Sequence, residues 1–419
     1  MRSLRAVLVA WLACSLVGGL VWAQGNFYLK DGDRVVFYGD SITEQRLYTA
    51  FAETYVVTRF PQRNVSFIHS GVGGDRVTGG WAGPIDLRLT RDVFAYKPTV
   101  MTIMLGMNDG SYRAFDDKIF KTYSTGYQHI LDSVKSTLPG IRLTLIQPSP
   151  YDDVTRPAGF EGGYNAVLVR YGEFVKELAQ NQACQAADLN TSVVAVLEKA
   201  KTTDAETAKK IIADRVHPGP GGHLLMAEAL LKAWNAPAVV TAVEIDAAQV
   251  RAVRTENTAV SDLKNSNGLA WTQNDKALPM PLDQKDAALK LAVQCSDFFQ
   301  ALDWQPLKVT GLKGQRYLLK IDGQEVGTFS RQQLEEGLNL AKWPTPMFQQ
   351  AQAVHSLTLK HNNIHSTCWR ELQVALAQQS LPHLAQAVEA LNNLEADLVA
   401  QQRETAQPKA RHYELLPQP

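Results

Sequence analysis

Hydrophobic positions fall into two textures that meet near residue 238. Up to Trp234, short apolar runs alternate with stretches whose apolar residues recur at helical spacing. "RVVFYG" (34–39), "VSFIHSG" (65–71), "TVMTIMLG" (99–106) and "RLTLIQPSP" (142–150) predict buried strands, each short, apolar and closed by turn residues. Helices are expected over 47–60, 85–96 and 120–138 between them, and over 164–180, 191–201, 204–213 and 221–234 after them. Strand–helix alternation of this kind calls for an α/β domain with a parallel sheet covered on both faces.

Beyond "NAPAVV" (235–240) the pattern turns to short strands and turns over 243–275 and 305–330. "KIDGQEVGTF" (320–329) carries an Asp-Gly hairpin signal. Helices are expected over 331–361 and 382–405, and the proline-containing last dozen residues are expected to trail off. "LEEGLNLAKWPTPM" (334–347) has the texture of a segment that reaches back to the first domain. The expected organisation is an α/β domain over 24–238 and a smaller mixed β-rich and helical region over 239–419. This agrees with a length prior of about two or three domains.

The first 23 residues read differently. Arg2 and Arg5 precede the apolar stretch "AVLVAWLACSLVGGL" (6–20), and "VWA" ends at Ala23. That order describes a secretory signal peptide, and an apolar run of about 15 residues is short for a membrane span. Trp11 does not suit a lipobox before Cys14. Cleavage after Ala23 and export to the periplasm or the outside are expected, with no stable membrane span thereafter. The remaining Cys184, Cys295 and Cys368 are too few for a disulfide scaffold and fit no zinc spacing. An exported chain permits one bridge, Cys295–Cys368 being the favoured pair, while Cys184 reads as a small buried residue.

Bulk charge narrows the partners. Lys+Arg and Asp+Glu both number 42, which leaves no basic excess for a nucleic-acid backbone. Nothing in the composition bears on oligomeric state.

Four small clusters carry candidate chemistry: "GDS" (39–41), "GVGGD" (71–75), "LGMND" (105–109) and "DRVHPGPGGH" (214–223). Three follow predicted strands and the fourth lies in a loop before a helix, where an open α/β sheet forms its ligand crevice. Read singly they are ordinary: Asp40-Ser41 caps a helix, Asn108-Asp109 makes a turn, and His217 before Pro218 sits in a loop. Read together they supply what acyl transfer needs. Ser41 is a hydroxyl nucleophile, His217 its base, and Asp214 the acid that fixes the imidazole tautomer. The N–H groups of Ser41 and Gly74 and the Asn108 amide are donors for an oxyanion. Asn suits that place because its amide donates without carrying a charge. Gly-Lys-Ser/Thr is absent, which excludes a P-loop, and no G-x-S-x-G elbow is present.

The four clusters, in this order, resemble the SGNH hydrolases, also called the GDSL esterase/lipase family, over residues 33–234. Ile42 stands where the family name carries Leu, an apolar exchange. The resemblance implies a three-layer α/β/α, flavodoxin-like domain and a serine esterase without cofactor or metal. It assigns Ser41, Asp214 and His217 to the triad and Ser41, Gly74 and Asn108 to the oxyanion hole. Asp40, Asp75 and Asp109 would support them. Export and a compact site favour short acyl esters, such as O-acetyl groups on carbohydrate, in small molecules or polysaccharides. A lipase, arylesterase or acyltransferase of the same fold, and a non-catalytic glycan-binding protein, stand as alternatives.

The remaining candidates read as structural or as substrate walls. His69, His129 and His223 are expected to pack or cap, and Asp75 with Arg76 to pair locally. Trp81, Tyr112, Phe115, Tyr151, Phe160 and Tyr164 suit stacking on a sugar, aryl or acyl group. The C-terminal region reads as structural support ahead of a glycan-binding module or a dimerisation element.

Overall fold

A computed structural model describes residues 26–283 and 285–419. The expected signal peptide lies outside the described residues.

Five strands, β1 (Arg34–Gly39), β2 (Ser66–Gly71), β3 (Val100–Met104), β4 (Arg142–Ile146) and β5 (Gln185–Ala187), form one parallel sheet in the order β2-β1-β3-β4-β5. This is the doubly wound order of flavodoxin-like folds. Every residue of β3 is buried, as expected of a central strand covered on both faces. The covering helices are α2 (Leu47–Arg59), α3 (Ile85–Asp92), α4 (Asp117–Thr137), α5 (Gly163–Asn181), α6 (Thr191–Thr203) and α7 (Pro220–Ala233); α1 (Ser41–Glu44) is a single turn after β1. Trp234, fully buried after α7, donates its indole N–H to Thr144 Oγ1 at 2.9 Å and so fixes that helix to β4. The three-layer α/β/α expectation is met. The short β5 was not anticipated.

The C-terminal half builds two further sheets from β6 (Ala242–Asp246), β7 (Arg251–Glu256), β8 (Thr258–Asn265), β9 (Leu269–Asp275), β10 (Pro306–Thr310), β11 (Arg316–Ile321), β12 (Gln324–Ser330), β13 (Leu338–Asn339) and β14 (Arg411–Gln418). Their orders are β8-β9-β14-β11-β12, antiparallel, and β13-β10-β6-β7, mixed. The predicted Asp-Gly hairpin joins β11 to β12, with Asp322 and Gly323 both at positive φ (52° and 79°). That is what a two-residue turn of matching twist requires. The chain end does not trail off: β14 is the central strand of its sheet, and its Tyr413 stacks on Trp271 of β9 at 5.0 Å.

The helix expected over 331–361 is broken. A six-residue helix, Arg331–Glu336, opens on a Ser330/Gln333 capping box and ends at Gly337, whose φ is 104°. β13 follows, and a new helix, α9 (Pro346–Thr367), begins after Thr345 caps Phe348 N–H. Residues 334–347 pack into the core of the C-terminal sheets through Leu334, Leu338, Leu340 and Met347. The segment that reaches the first domain is α9 itself, paired with α10 (Leu384–Thr405). Residues of α8 (Ala287–Cys295) also join the first core. Cys184, Cys295 and Cys368 are all free, and Cys184 is only half-buried. Cys295 lies near Thr203 of α6 and Cys368 near Asn392 of α10, so the expected bridge joins different parts of the molecule and does not form.

A buried charge cluster fastens α9 and α10 to α2 and β2. The Glu53 carboxylate accepts from His361 Nε2 at 2.6 Å, Gln402 Nε2 at 2.9 Å and Asn362 Nδ2 at 3.3 Å, with His69 Nε2 at 3.0 Å. Burial holds His69 below the usual histidine value, so it stays neutral. Burial also opposes a charged His361, but Glu53 and Glu395 outweigh it and raise its pKa to about 10. Because this folded value is raised, its stabilisation is complete below a free-imidazole pKa of about 6.5 and is lost as pH rises towards 10. Urea midpoints of the wild type should therefore fall over that window, and His361→Gln should flatten the fall. Glu53→Leu, which takes the shared acceptor from buried His361, His69 and Gln402, should cost about 3–5 kcal/mol.

Candidate active site

β1 ends at Gly39 and the chain turns into α1. Asp40 is the N-cap, accepting from Ile42 N–H at 3.0 Å, which leaves the Ser41 side chain free of capping. Ser41 Oγ lies 2.8 Å from His217 Nε2, and His217 Nδ1 lies 2.7 Å from Asp214 Oδ2. In the neutral imidazole, Nδ1–H donates to the carboxylate and the Ser41 hydroxyl donates to Nε2. Asp214 Oδ1 accepts two backbone N–H groups, from Val216 at 2.9 Å and His217 at 2.7 Å. The three-residue spacing thus closes a tight turn in which one carboxylate holds both ring and backbone. Partial burial pushes the Asp214 carboxyl up, but those hydrogen bonds prevail and its pKa lies below the usual value.

The second cluster approaches from β2. Gly74 sits at φ +76° with open space around a notional Cβ, so its conformation and not crowding asks for glycine. A Cβ on the preceding Gly73 would lie 3.9 Å from Ser41 Cβ, which places this loop against the serine. Asn108, after β3, donates Nδ2–H to the Asp75 carbonyl at 3.0 Å and so joins the same loop. All five residues proposed from the sequence gather at one edge of the sheet.

The three supporting aspartates lie beneath. Burial, with Asp109 and Asp75 nearby, raises the Asp40 pKa to about 7, although the Ile42 N–H works against the shift. Burial raises Asp109 to about 7 as well, opposed by the Val77 N–H it accepts at 3.0 Å. Asp75 does not pair with Arg76. Its Oδ2 accepts from Arg88 Nε at 2.8 Å, because Asp75 turns into the interior while Arg76 stays exposed. Arg88 is fully buried and also binds Asp92, whose Oδ1 accepts from Trp369 Nε1 at 2.6 Å. The sequence offered no signal for this link, which runs from the Gly74 loop to a residue of the C-terminal region 277 positions beyond Asp92.

Two more contacts from that region reach the serine turn. Arg46, two residues beyond α1, donates to Ser366 Oγ and Asn363 Oδ1, both at 3.0 Å, and Arg370 pairs with Glu44. His223 is buried, bonded to Gln45 at 2.8 Å and stacked on Tyr48, so it packs as expected. His69 belongs to the Glu53 cluster, and His129 pairs on the surface with Asp86. Of the aromatic candidates, Trp81 and Tyr112 are 55% and 44% exposed. Tyr164 is buried and cannot stack on a ligand. Phe115 is covered by Phe120 and the Arg170 guanidinium, whereas Tyr151 and Phe160 are partly buried.

Residues 37–225 match the model of the GDSL-like Lipase/Acylhydrolase family, and this part of the chain is a domain of that family. The chain is 24% identical over 223 residues to an acetylxylan esterase of Geobacillus stearothermophilus, covering 49% of this chain and 94% of that protein. It is 25% identical over 224 residues to a GDSL esterase/lipase of Arabidopsis thaliana, covering 48% and 87%. A solved structure of a gut microbial diltiazem-metabolizing enzyme is similar over 93% of this chain and 98% of that one, with 26% identity and a TM-score of 0.80. The protein is a carboxylic ester hydrolase.

The Asp75–Arg88–Asp92 link predicts that Arg88→Met, which strands the buried Asp75 carboxylate while Asp92 keeps Arg91, costs about 3–5 kcal/mol in urea unfolding. Arg76→Met, on the exposed neighbour, should stay within about 0.5 kcal/mol of wild type.

Proposed function

We propose that the protein is an exported serine esterase that removes short acyl groups, O-acetyl foremost, from carbohydrate. The observation that carries this reading is the unbroken hydrogen-bonded line from Ser41 Oγ through His217 to Asp214, at 2.8 and 2.7 Å. In it, His217 Nε2 takes the Ser41 proton as Oγ attacks the ester carbonyl. The oxyanion is met by the N–H groups of Ser41 and Gly74 and the Asn108 amide. As the tetrahedral intermediate collapses, His217 returns the proton to the leaving alcohol and an acyl-serine remains. Water, deprotonated by His217, then attacks the acyl carbon and Ser41 recovers its proton.

Support for a short acyl group on carbohydrate comes from three sides. The curated relative named an acetylxylan esterase matches almost along its whole length. The exposed Trp81 and Tyr112 offer faces on which a sugar ring can stack. The export expected from the first 23 residues suits an ester on polysaccharide. A second reading, esters of small aromatic molecules, is favoured by the diltiazem-metabolizing neighbour, which is similar over nearly the entire chain. Within the first reading, residues 239–419 support and wall the catalytic domain and do not act as a separate glycan module.

Ser41→Ala should abolish p-nitrophenyl acetate hydrolysis and fluorophosphonate labelling. Asp214→Asn should lower kcat by about 10⁴-fold, the size of effect seen when a triad imidazole loses its tautomer partner. Activity on p-nitrophenyl esters should peak at acetate, and a peak at octanoate or beyond would refute the short-acyl assignment. Acetate release from acetylated xylan, compared with release from small aryl acetates, separates the two substrate readings. N-terminal sequencing of the exported protein should begin at Gln24.

A further inference from the structure

Asn108 can serve an oxyanion only with its amide, and not its carbonyl, turned to the substrate. A carboxamide is nearly symmetric in shape, so rotation by half a turn would place an oxygen against the developing negative charge. The structure holds both ends of the group. Nδ2 donates to the Asp75 carbonyl at 3.0 Å, and Oδ1 accepts from the Tyr112 hydroxyl at 3.0 Å. The reversed amide would set Oδ1 against the Asp75 carbonyl, lone pair to lone pair. In the observed one, the second N–H has no protein acceptor among the described residues and remains available to the substrate.

Tyr112 is built for this contact in ways its surface position does not require. Ser111 and Tyr112 both lie in the left-handed region, at φ 58° and 54°. Consecutive non-glycine residues rarely adopt that conformation unless their surroundings impose it, and such strain concentrates at functional sites. The Tyr112 ring is braced by Tyr164 at 5.0 Å and Tyr151 at 6.3 Å. Tyr164 in turn donates its hydroxyl to the carbonyl of Met107, the residue before Asn108, at 2.6 Å. Burial raises the Tyr112 phenol to about 12, so the group remains a donor well into the alkaline range.

We infer that Tyr112 is a positioning residue for the oxyanion site, its hydroxyl fixing the Asn108 carboxamide with an N–H directed at the ester carbonyl oxygen. The inference rests on the serine-esterase reading above. It differs from the stacking role that exposure of the ring alone would assign, because the hydroxyl acts through Asn108 and touches no substrate.

A double-mutant cycle on p-nitrophenyl acetate separates these roles. Tyr112→Phe keeps the ring and removes the hydroxyl. It should lower kcat by about 10–100-fold, below the 100–1000-fold typical of losing a donor outright, with KM within about twofold of wild type. In an Asn108→Ala background the same change should cost less than about twofold, since the group it orients is gone. A wild-type kcat in Tyr112→Phe overturns the inference. So does an equal loss in both backgrounds, which is how a general weakening of the fold would read, and so does a rise in KM alone, which would mark a substrate contact. Wild type that hydrolyses no ester and takes up no fluorophosphonate removes the esterase reading itself, before any variant is compared.

Discussion

In a parallel sheet every strand ends at the same edge, and neighbours lie only about 4.8 Å apart. Here the register sets Gly39 of β1 opposite both Gly71 of β2 and Met104 of β3. The loops that follow these three strands therefore start side by side, and they carry Asp40-Ser41, Gly74 and Asn108. The site depends first on that alignment. Backbone hydrogen bonding fixes where the loops begin, and local chemistry has only to turn each side chain over a short distance. Glycine at Gly71 keeps the first step tight, since a Cβ there would come within 2.2 Å of the Glu44 nitrogen in the helix after the serine.

The C-terminal half bears on this edge through charge as well as through the apolar packing of Trp369 with Val72 and Ala82. Its helical arm grips the serine turn at Arg46 and Glu44, the Gly74 loop through Trp369, Asp92 and Arg88, and the middle of α2 through Glu53. Each link sets a buried or half-buried charge against a partner from a distant part of the chain. Breaking one partner leaves a charge in a low-dielectric setting, which costs more than the pair contributes when intact. Such links fix one arrangement strongly while adding modest net stability.

How much of this was legible in the sequence follows from the range of each interaction. Periodicity reports local burial, so the four long strands and their helices could be read, as could Asp322-Gly323. The four clusters could be read as well, because each is short and their order reflects strand order. The three-residue strand β5 was too short and too mixed to register. β14 was obscured by Pro417 within it and Pro408 and Pro419 on either side, although Tyr413 and Leu415 alternate with more exposed neighbours as a half-buried strand requires. Gly337 and the prolines at 344 and 346 carried the break in the expected long helix. Pairings between remote residues left no such trace. Glu53 with His361 spans 308 positions, and the supposed Cys295–Cys368 bridge rested on shared location in one half of the chain. Asp75 shows the same limit at short range, since adjacency to Arg76 says nothing about which side chain turns inward.

The two sides of the site are also built to different standards. The Asp214 and His217 side chains are 59% and 37% exposed, and the turn that relates them is closed within four residues. The oxyanion side stands on Asp40, Asp75 and Asp109, all buried, with Tyr112 braced against Tyr164. This asymmetry matches the demands of acyl transfer. An imidazole that carries a proton between serine, alcohol and water works with small rotations and benefits from solvent nearby. A donor set for a transient oxyanion is effective only if it is aimed before the charge appears, because reorienting dipoles during the reaction would consume the stabilisation they provide. On the side proposed for the donors stand the buried Asp40, Asp75 and Asp109 and the left-handed Ser111 and Tyr112, while on the other side Arg215 is left-handed at φ 75°. The turn from Asp214 to His217 is exposed but tied to the neighbouring loop, the Arg215 carbonyl accepting from Asp152 N–H at 2.9 Å and Arg215 Nη1 donating to the Pro157 carbonyl at 2.8 Å.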